Sequence, residues 1–236
     1  MMTVQKFLEQ INLALSVKTL YVSGCFGAPM TDANKARYSS NNDYNSRADR
    51  KAKIMSASAD TFGFDCVCLI KGVLWGWNGE TNKQYGGAKY ASNGVPDISA
   101  DRIIKVCPAE RTDWQNIVPG ALLYKPGHVG IYLGNGKAAE CTPIWNDCVQ
   151  VSYVQNVGAS GNHNRTWTSW GLLPYVDYTQ REELPFVDVK TDSYYYEAVK
   201  WAYQNGITNG LDATHFGPDK PVTRAQLVTM LWRMNQ

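Results

Sequence analysis

The chain has 236 residues, a formal net charge of +2, 19% charged side chains and 12% aromatic ones. That length suits one medium domain plus a small one, and so even a charge balance excludes the concentrated basic face that a nucleic-acid binder needs. The eight Trp and fourteen Tyr read chiefly as core and strand residues, although such rings also serve as stacking platforms for carbohydrate.

The first predicted element is an amphipathic helix, because Val4, Phe7, Leu8, Ile11 and Leu15 recur at helical spacing. Glu9, Gln10 and Asn12 interrupt its apolar residues, which argues against a signal peptide and for synthesis in the cytoplasm. No run approaches the ~20 apolar residues of a membrane span. Residues 29–60 are polar and rich in Asn, Ser, Asp and Lys, so a surface excursion with one helix near Arg47–Ser58 is expected. The apolar run Cys66–Trp75 is the next helix, and the glycines of residues 78–97 predict loops.

From Trp114 to Tyr178 the pattern becomes strand-like, with candidates at Gly120–Tyr124, His128–Leu133, Ala138–Thr142, Val149–Val154 and Gly171–Tyr175. Helices first and antiparallel strands afterwards predict an α+β fold. Asp177–Pro185 reads as a linker with a boundary near residue 182, which gives domains 1–180 and 181–236. Beyond it the pattern is all-α. Tyr195, Ala198, Val199 and Ala202 mark one helix ending at Asn205-Gly206, and Thr223-Arg-Ala-Gln226 has the capping-box form that opens a second.

Six cysteines at irregular spacing in so long a chain do not make a disulfide scaffold and read as reduced thiols. Cys68, Cys107, Cys141 and Cys148 are assigned to packing, while Cys25, between glycines, either packs or lines a cleft. Cys66 differs, since it falls in the first turn of its helix. A helix N-terminus and a nearby imidazole lower a thiol's pKa, and His128, at the start of a strand, can supply the imidazole. With three histidines and no His-Glu-x-x-His, no metal site and no cofactor are expected.

Phe64-Asp-Cys-Val-Cys-Leu-Ile70 and Gly127-His-Val-Gly-Ile-Tyr-Leu-Gly-Asn-Gly136 resemble the nucleophile motif and histidine strand of the NlpC/P60 cysteine peptidases, over roughly residues 5–178. The resemblance implies a papain-like fold, helices packed on an antiparallel sheet, and the stem peptide of bacterial peptidoglycan as substrate. It also implies a third polar residue twelve positions after the histidine, which is Glu140. Cys66 would attack the amide, His128 would move the proton, and Glu140 would orient the imidazole. Asp65 and Tyr21 match residues that hold substrate in the family, whereas Val67 and Cys68 stand where the family has Ser and Gly. A two-residue Asn135-Gly136 turn would set Glu140 opposite Ile131 and face it away from His128, so an odd loop or a bulge is required.

Phe186–Val189, Glu197–Ala202, Gly206–Gly210, Phe216–Pro218 and Val222–Gln226 together resemble one S-layer homology repeat. The resemblance implies that residues 185–236 bind a secondary cell-wall polymer, with Arg224 on an anionic sugar acid. Because the family assembles its platform from three repeats, a homotrimer is expected. The whole reads as an endolysin-like cysteine endopeptidase from a phage or prophage, released onto the wall at lysis. An N-acetylmuramoyl-L-alanine amidase with the same site is the alternative, and a non-enzymatic wall-binding protein the alternative from another class.

Overall fold

The computed structural model describes residues 1–159, 162–179 and 184–234. The chain divides into two compact units, Met1–Gln180 and Arg181–Gln236. The boundary expected near residue 182 lies outside the described residues.

In the first unit, β1 (Met2–Thr3) leads into α1 (Val4–Ser16), which the Thr3 hydroxyl caps and whose buried stripe is Phe7, Ile11 and Ala14. Then come β2 (Thr19–Tyr21) and β3 (Phe26–Pro29), followed by α2 (Asp32–Tyr38), α3 (Asp43–Ser46) and α4 (Ala48–Ser56). The polar excursion thus holds three helices where one was expected. Its Thr31 and Asn42 are N-caps, accepting from the Asn34 and Asn45 N–H groups, so part of the polarity that suggested loop is helix-start chemistry. Next are β4 (Phe62–Phe64), α5 (Cys66–Leu74) and α6 (Ala100–Ile103). The strands β5 (Leu122–Lys125), β6 (His128–Gly134), β7 (Lys137–Thr142), β8 (Cys148–Val154), β9 (Asn164–Arg165), β10 (Ser169–Gly171) and β11 (Val176–Asp177) complete the unit.

Six strands form the main sheet in the order β10-β5-β6-β7-β8-β9, antiparallel except for the β8–β9 pair. A second sheet, β2-β4-β3, was not anticipated, since its strands are three or four residues long and lie in segments too short for a period to show. Every residue of α5 is buried, Lys71 with its ammonium paired to Asp97 and the rest as expected of a largely apolar helix. Its core neighbours include Phe7 and Ile11 of α1 and Val129, Ile131, Ala139 and Cys141 of the sheet. The other face of the sheet carries Leu123, Ala138, Val154, Trp167 and Trp170. All six cysteines are free thiols; Cys25 is fully buried beside Val22, Met30 and Tyr38 and so packs.

The β6–β7 hairpin decides where Glu140 points. Its turn is the two-residue Asn135-Gly136 type, both at positive φ (50° and 69°), with Gly134 opposite Lys137. The register then shifts between Tyr132 and Gly134, and beyond the bulge Tyr132 faces Ala138 and Ile131 faces Ala139. Continued along the strands, that register sets Gly130 opposite Glu140 and puts His128 and Glu140 on one face. The one-residue offset that the turn alone would leave is removed by the bulge.

In the second unit, α7 (Tyr196–Gln204) is closed by Asn205 and by Gly206 at φ 66°. Of the expected stripe, Val199 is buried and Tyr195 packs against the core, while Ala198 is exposed and Tyr196 and Lys200 are buried in addition. Phe186, Val189, Tyr196 and Val199 form a small core. The Asp188 carboxylate accepts the Phe216 and Gly217 N–H groups at 2.9 and 2.8 Å and fastens the two loops of the repeat together. α8 (Arg224–Arg233) opens with the expected capping box, Thr223 and Gln226 exchanging bonds, but none of its residues is buried. Among the described residues no helix is long and apolar enough to cross a membrane.

A Cβ at Gly130 would come within 2.8 Å of the Trp167 ring and 3.0 Å of the Ala139 carbonyl oxygen. Gly130→Val should therefore cost about 1–3 kcal/mol through overpacking, read as a thermal melt lowered by several degrees.

Candidate active site

Asp65 sets the start of α5. Its two oxygens accept the Cys68 and Gly24 N–H groups, both at 2.7 Å, so one carboxylate caps the helix and pins the loop before β3. Cys66 follows as the first helical residue and is 9% exposed. Its sulfur lies at the Val129 N–H, next in the chain to His128. Tyr21 is half-buried, and its phenol is raised by burial first and then by the charges of Asp65 and Cys66, which sets it on the same side of the site.

His128 and Glu140 are in direct contact: the imidazole Nε2 lies 2.6 Å from Glu140 Oε2. With Nε2 so engaged, Nδ1 is the ring nitrogen left for a thiol proton. Glu140 is fully buried. Burial alone would raise its carboxyl, but hydrogen bonds from His128 and Arg165 outweigh that and hold it below the ordinary value. Arg165 was missed by the sequence analysis. Its Nε donates to Glu140 Oε1 at 2.8 Å and stands 2.7 Å from Oε2. It comes from β9, two residues long and in a segment read as loop, so no period announced it. Trp167, two residues further on, stacks on the His128 ring at 5.5 Å and 12°.

Near Tyr21, Asp147 accepts from Arg50 at 2.6 Å and from Lys53 at 2.7 Å, while Arg50 also donates to the Tyr21 carbonyl. These ties hold the β7–β8 loop against β2 and α4. A cavity of about 430 Å³ opens beside the first turn of α5, lined among others by Ser23, Asp65, Val67, Cys68 and Lys71; Cys66, His128 and Glu140 do not line it. The two positions that depart from the family motif are thus part of its wall. Arg224 belongs to the second unit and is exposed at the first position of α8.

The expectation of a lowered thiol pKa is not met. Burial, and after it the Asp65 charge, push Cys66 up to about 12, although the N–H groups of Val129, Val67 and Cys66 pull the other way. At neutral pH Cys66 is therefore held as a thiol. Alkylation of Cys66 by iodoacetamide in the free protein should keep accelerating from pH 6 to 9, because the thiolate fraction rises throughout that window. A rate that levels off near neutral pH, followed by mass spectrometry of the Cys66 peptide, would contradict this.

Residues 185–228 match the S-layer homology domain family. A "Cell surface protein" of Thermoanaerobacter kivui is 52% identical over 50 residues, 21% of this chain and 7% of that one. A "Surface-layer 125 kDa protein" of Lysinibacillus sphaericus is 41% identical over 79 residues, 31% of this chain and again 7% of the other. The chain therefore spans only about 7% of the length of these curated relatives. Among solved structures, the peptidoglycan hydrolase RipB from Mycobacterium tuberculosis is 20% identical with a TM-score of 0.39, covering 74% of this chain and 65% of that one. The P60 domain from the M. avium subspecies paratuberculosis antigen MAP1204 is 21% identical with a TM-score of 0.37, covering 72% and 93%. The match to the S-layer homology domain family thus lies within the second unit, which follows a mixed helix-and-sheet unit in sequence.

Proposed function

We propose that the first unit is a cysteine hydrolase of bacterial peptidoglycan that cuts an amide bond of the stem peptide. The observation that carries this reading is the buried His128–Glu140 contact beside the helix start that bears Cys66. In the reaction, Cys66 Sγ attacks the amide carbonyl while His128 Nδ1 takes its proton. The imidazolium so formed faces the Glu140 carboxylate through Nε2. The same proton passes to the leaving amine, and water then hydrolyses the thioester with His128 as base. The Cys66 N–H, in the first turn of α5, is the donor proposed for the oxyanion, a contribution typically worth ~3 kcal/mol. Asp65 and Tyr21, close to the nucleophile, are the proposed contacts for the substrate's peptide end.

The second unit is proposed to hold the enzyme on the wall through a secondary polymer, with the exposed Arg224 meeting its acidic groups. Catalytic unit first and wall-binding unit second is the arrangement expected of an endolysin that acts on the wall after release at lysis. The repeat is further proposed to assemble as a homotrimer, with Leu227, Val228 and Trp232 of α8, which are between 48% and 64% exposed, as the residues offered for that contact. Light scattering of the full chain across micromolar concentrations reads that state directly, and a monomer throughout would exclude it.

Cys66→Ala should abolish clearing of Gram-positive cell walls while leaving the melt unchanged, and clearing equal to the unaltered protein would remove the nucleophile assignment. Mass spectrometry of digested muropeptides separates the finer readings. New amines on the diamino acid support the endopeptidase, and freed lactyl groups with L-alanine amines would replace it by the amidase. Arg224→Ala should lower the fraction of protein that pellets with walls, with soluble muropeptide hydrolysis unchanged.

A further inference from the structure

Glu140 and Arg165 make an expensive pair to bury. The carboxylate is fully buried and the guanidinium is 9% exposed. Arg165 Nη2 is itself sealed from water and has no hydrogen-bond partner among the described residues. Desolvating two charges roughly offsets their mutual attraction, and a stranded donor adds about 1–3 kcal/mol of cost. A cluster on those terms contributes little to stability, so its presence calls for another reason.

The surroundings hold Arg165 with unusual care. Its guanidinium lies 4.7 Å from the Trp145 ring centroid and 5.7 Å from that of Trp167. Trp167 in turn stacks on His128, and Trp145 stacks on His163 at 4.7 Å and 3°. Trp145 reaches its place from a backbone φ of 63°, a conformation that costs a bulky residue on the order of 1–3 kcal/mol. Its loop is tied down by Gln150, which donates to the Thr142, Ile144 and Cys148 carbonyls. Planar groups thus run from His163 through Trp145, Arg165 and Trp167 to His128, with the guanidinium in the middle and Glu140 beside it.

We propose that Arg165 is a positioning residue of the proposed hydrolase: its clamped guanidinium keeps Glu140 charged and aimed at His128 Nε2, which leaves Nδ1 as the ring atom that exchanges the Cys66 proton. The inference rests on the cysteine-hydrolase reading above. The titratable and charged groups that face Glu140 are His128 from β6 and Arg165 from β9. Both lower the carboxyl, against burial, which raises it. Without the arginine, burial gains weight and the carboxyl takes up a proton at higher pH. A protonated Glu140 no longer carries the charge that stabilises an imidazolium.

The test is a set of full-length variants assayed on soluble muropeptides across pH. Arg165→Gln should lower kcat roughly ten- to hundredfold, the scale seen when outer hydrogen-bond partners behind a working residue are lost, with KM within twofold. Its acid limb in kcat should move to higher pH. Arg165→Lys keeps the charge without the fork, so its acid limb should stay nearer the original while kcat still falls. Millimolar guanidinium should restore part of the activity of Arg165→Ala, which a merely structural role would not allow. If Arg165→Gln fails to fold, the Arg165→Lys profile and the guanidinium rescue decide. An Arg165→Gln variant with unaltered kcat and acid limb overturns the proposal, and so does a loss that appears only in the melt, or Arg165→Ala that guanidinium leaves inert. Cys66→Ala in the same assay keeps the two readings apart: if it is inactive, failure at Arg165 concerns Arg165 alone, and if it is active, the hydrolase reading itself falls.

Discussion

A carboxylate sealed from water has to be met by positive charge and hydrogen bonds, and Glu140 imposes that demand on the first unit. It is fully buried on β7 and is answered by His128 from β6 and Arg165 from β9. Those three strands are not consecutive neighbours, since β8 lies between β7 and β9. The charge therefore fixes relative positions across four strands of the sheet. Removing one partner from such a group typically costs 3–5 kcal/mol because a bare charge remains. The bulge after the β6–β7 turn is what makes the arrangement geometrically available, because a regular hairpin would have turned Glu140 to the other face.

Cys66, the proposed nucleophile, is held by a different device. α5 is buried on every side and cannot rotate without exposing core, and Asp65 fixes where it begins. Cys66 is thereby presented at the end of a rigid rod beside the first residues of β6. One element brings the sulfur and another brings the imidazole, and Val129 and Ile131 share one core cluster with Leu69, Ile70 and Val73. Precision at such a site follows from placing its groups on packed elements rather than on loops.

How much of this was legible in the sequence depended on the length of each element. α1, α5 and the strands from β5 to β8 were found because each is long enough to show its period or its apolar run. The His128–Glu140 contact and the place of Cys66 at a helix start were legible because both rest on the spacing of residues within motifs. The β2-β4-β3 sheet and β9 were not found, because strands of two to four residues carry no periodic signal. Arg165 was lost with β9. Only the register of the sheet, which no local pattern encodes, brings a residue twenty-five positions away onto Glu140. The thiol's ionisation was misjudged for a related reason: the helix start was visible, but the depth of burial that outweighs it was not.

The raised thiol and the lowered carboxyl describe one electrostatic arrangement. With Glu140 ionised and Arg165 against it, the pair is close to neutral, and burial leaves Cys66 a thiol at rest. No separated charge then has to be maintained in a site that excludes water. In the proposed reaction, the proton passing from sulfur to His128 would place positive charge 2.6 Å from a carboxylate that was charged beforehand. The interaction is therefore stronger after proton transfer than before it, which is the condition for an interaction to lower a barrier rather than merely stabilise the ground state. A Gln or Asn at position 140 could orient the ring equally well, but it could not supply that difference. The cost of keeping the carboxylate ready is carried by Arg165 and by the aromatic stack around it.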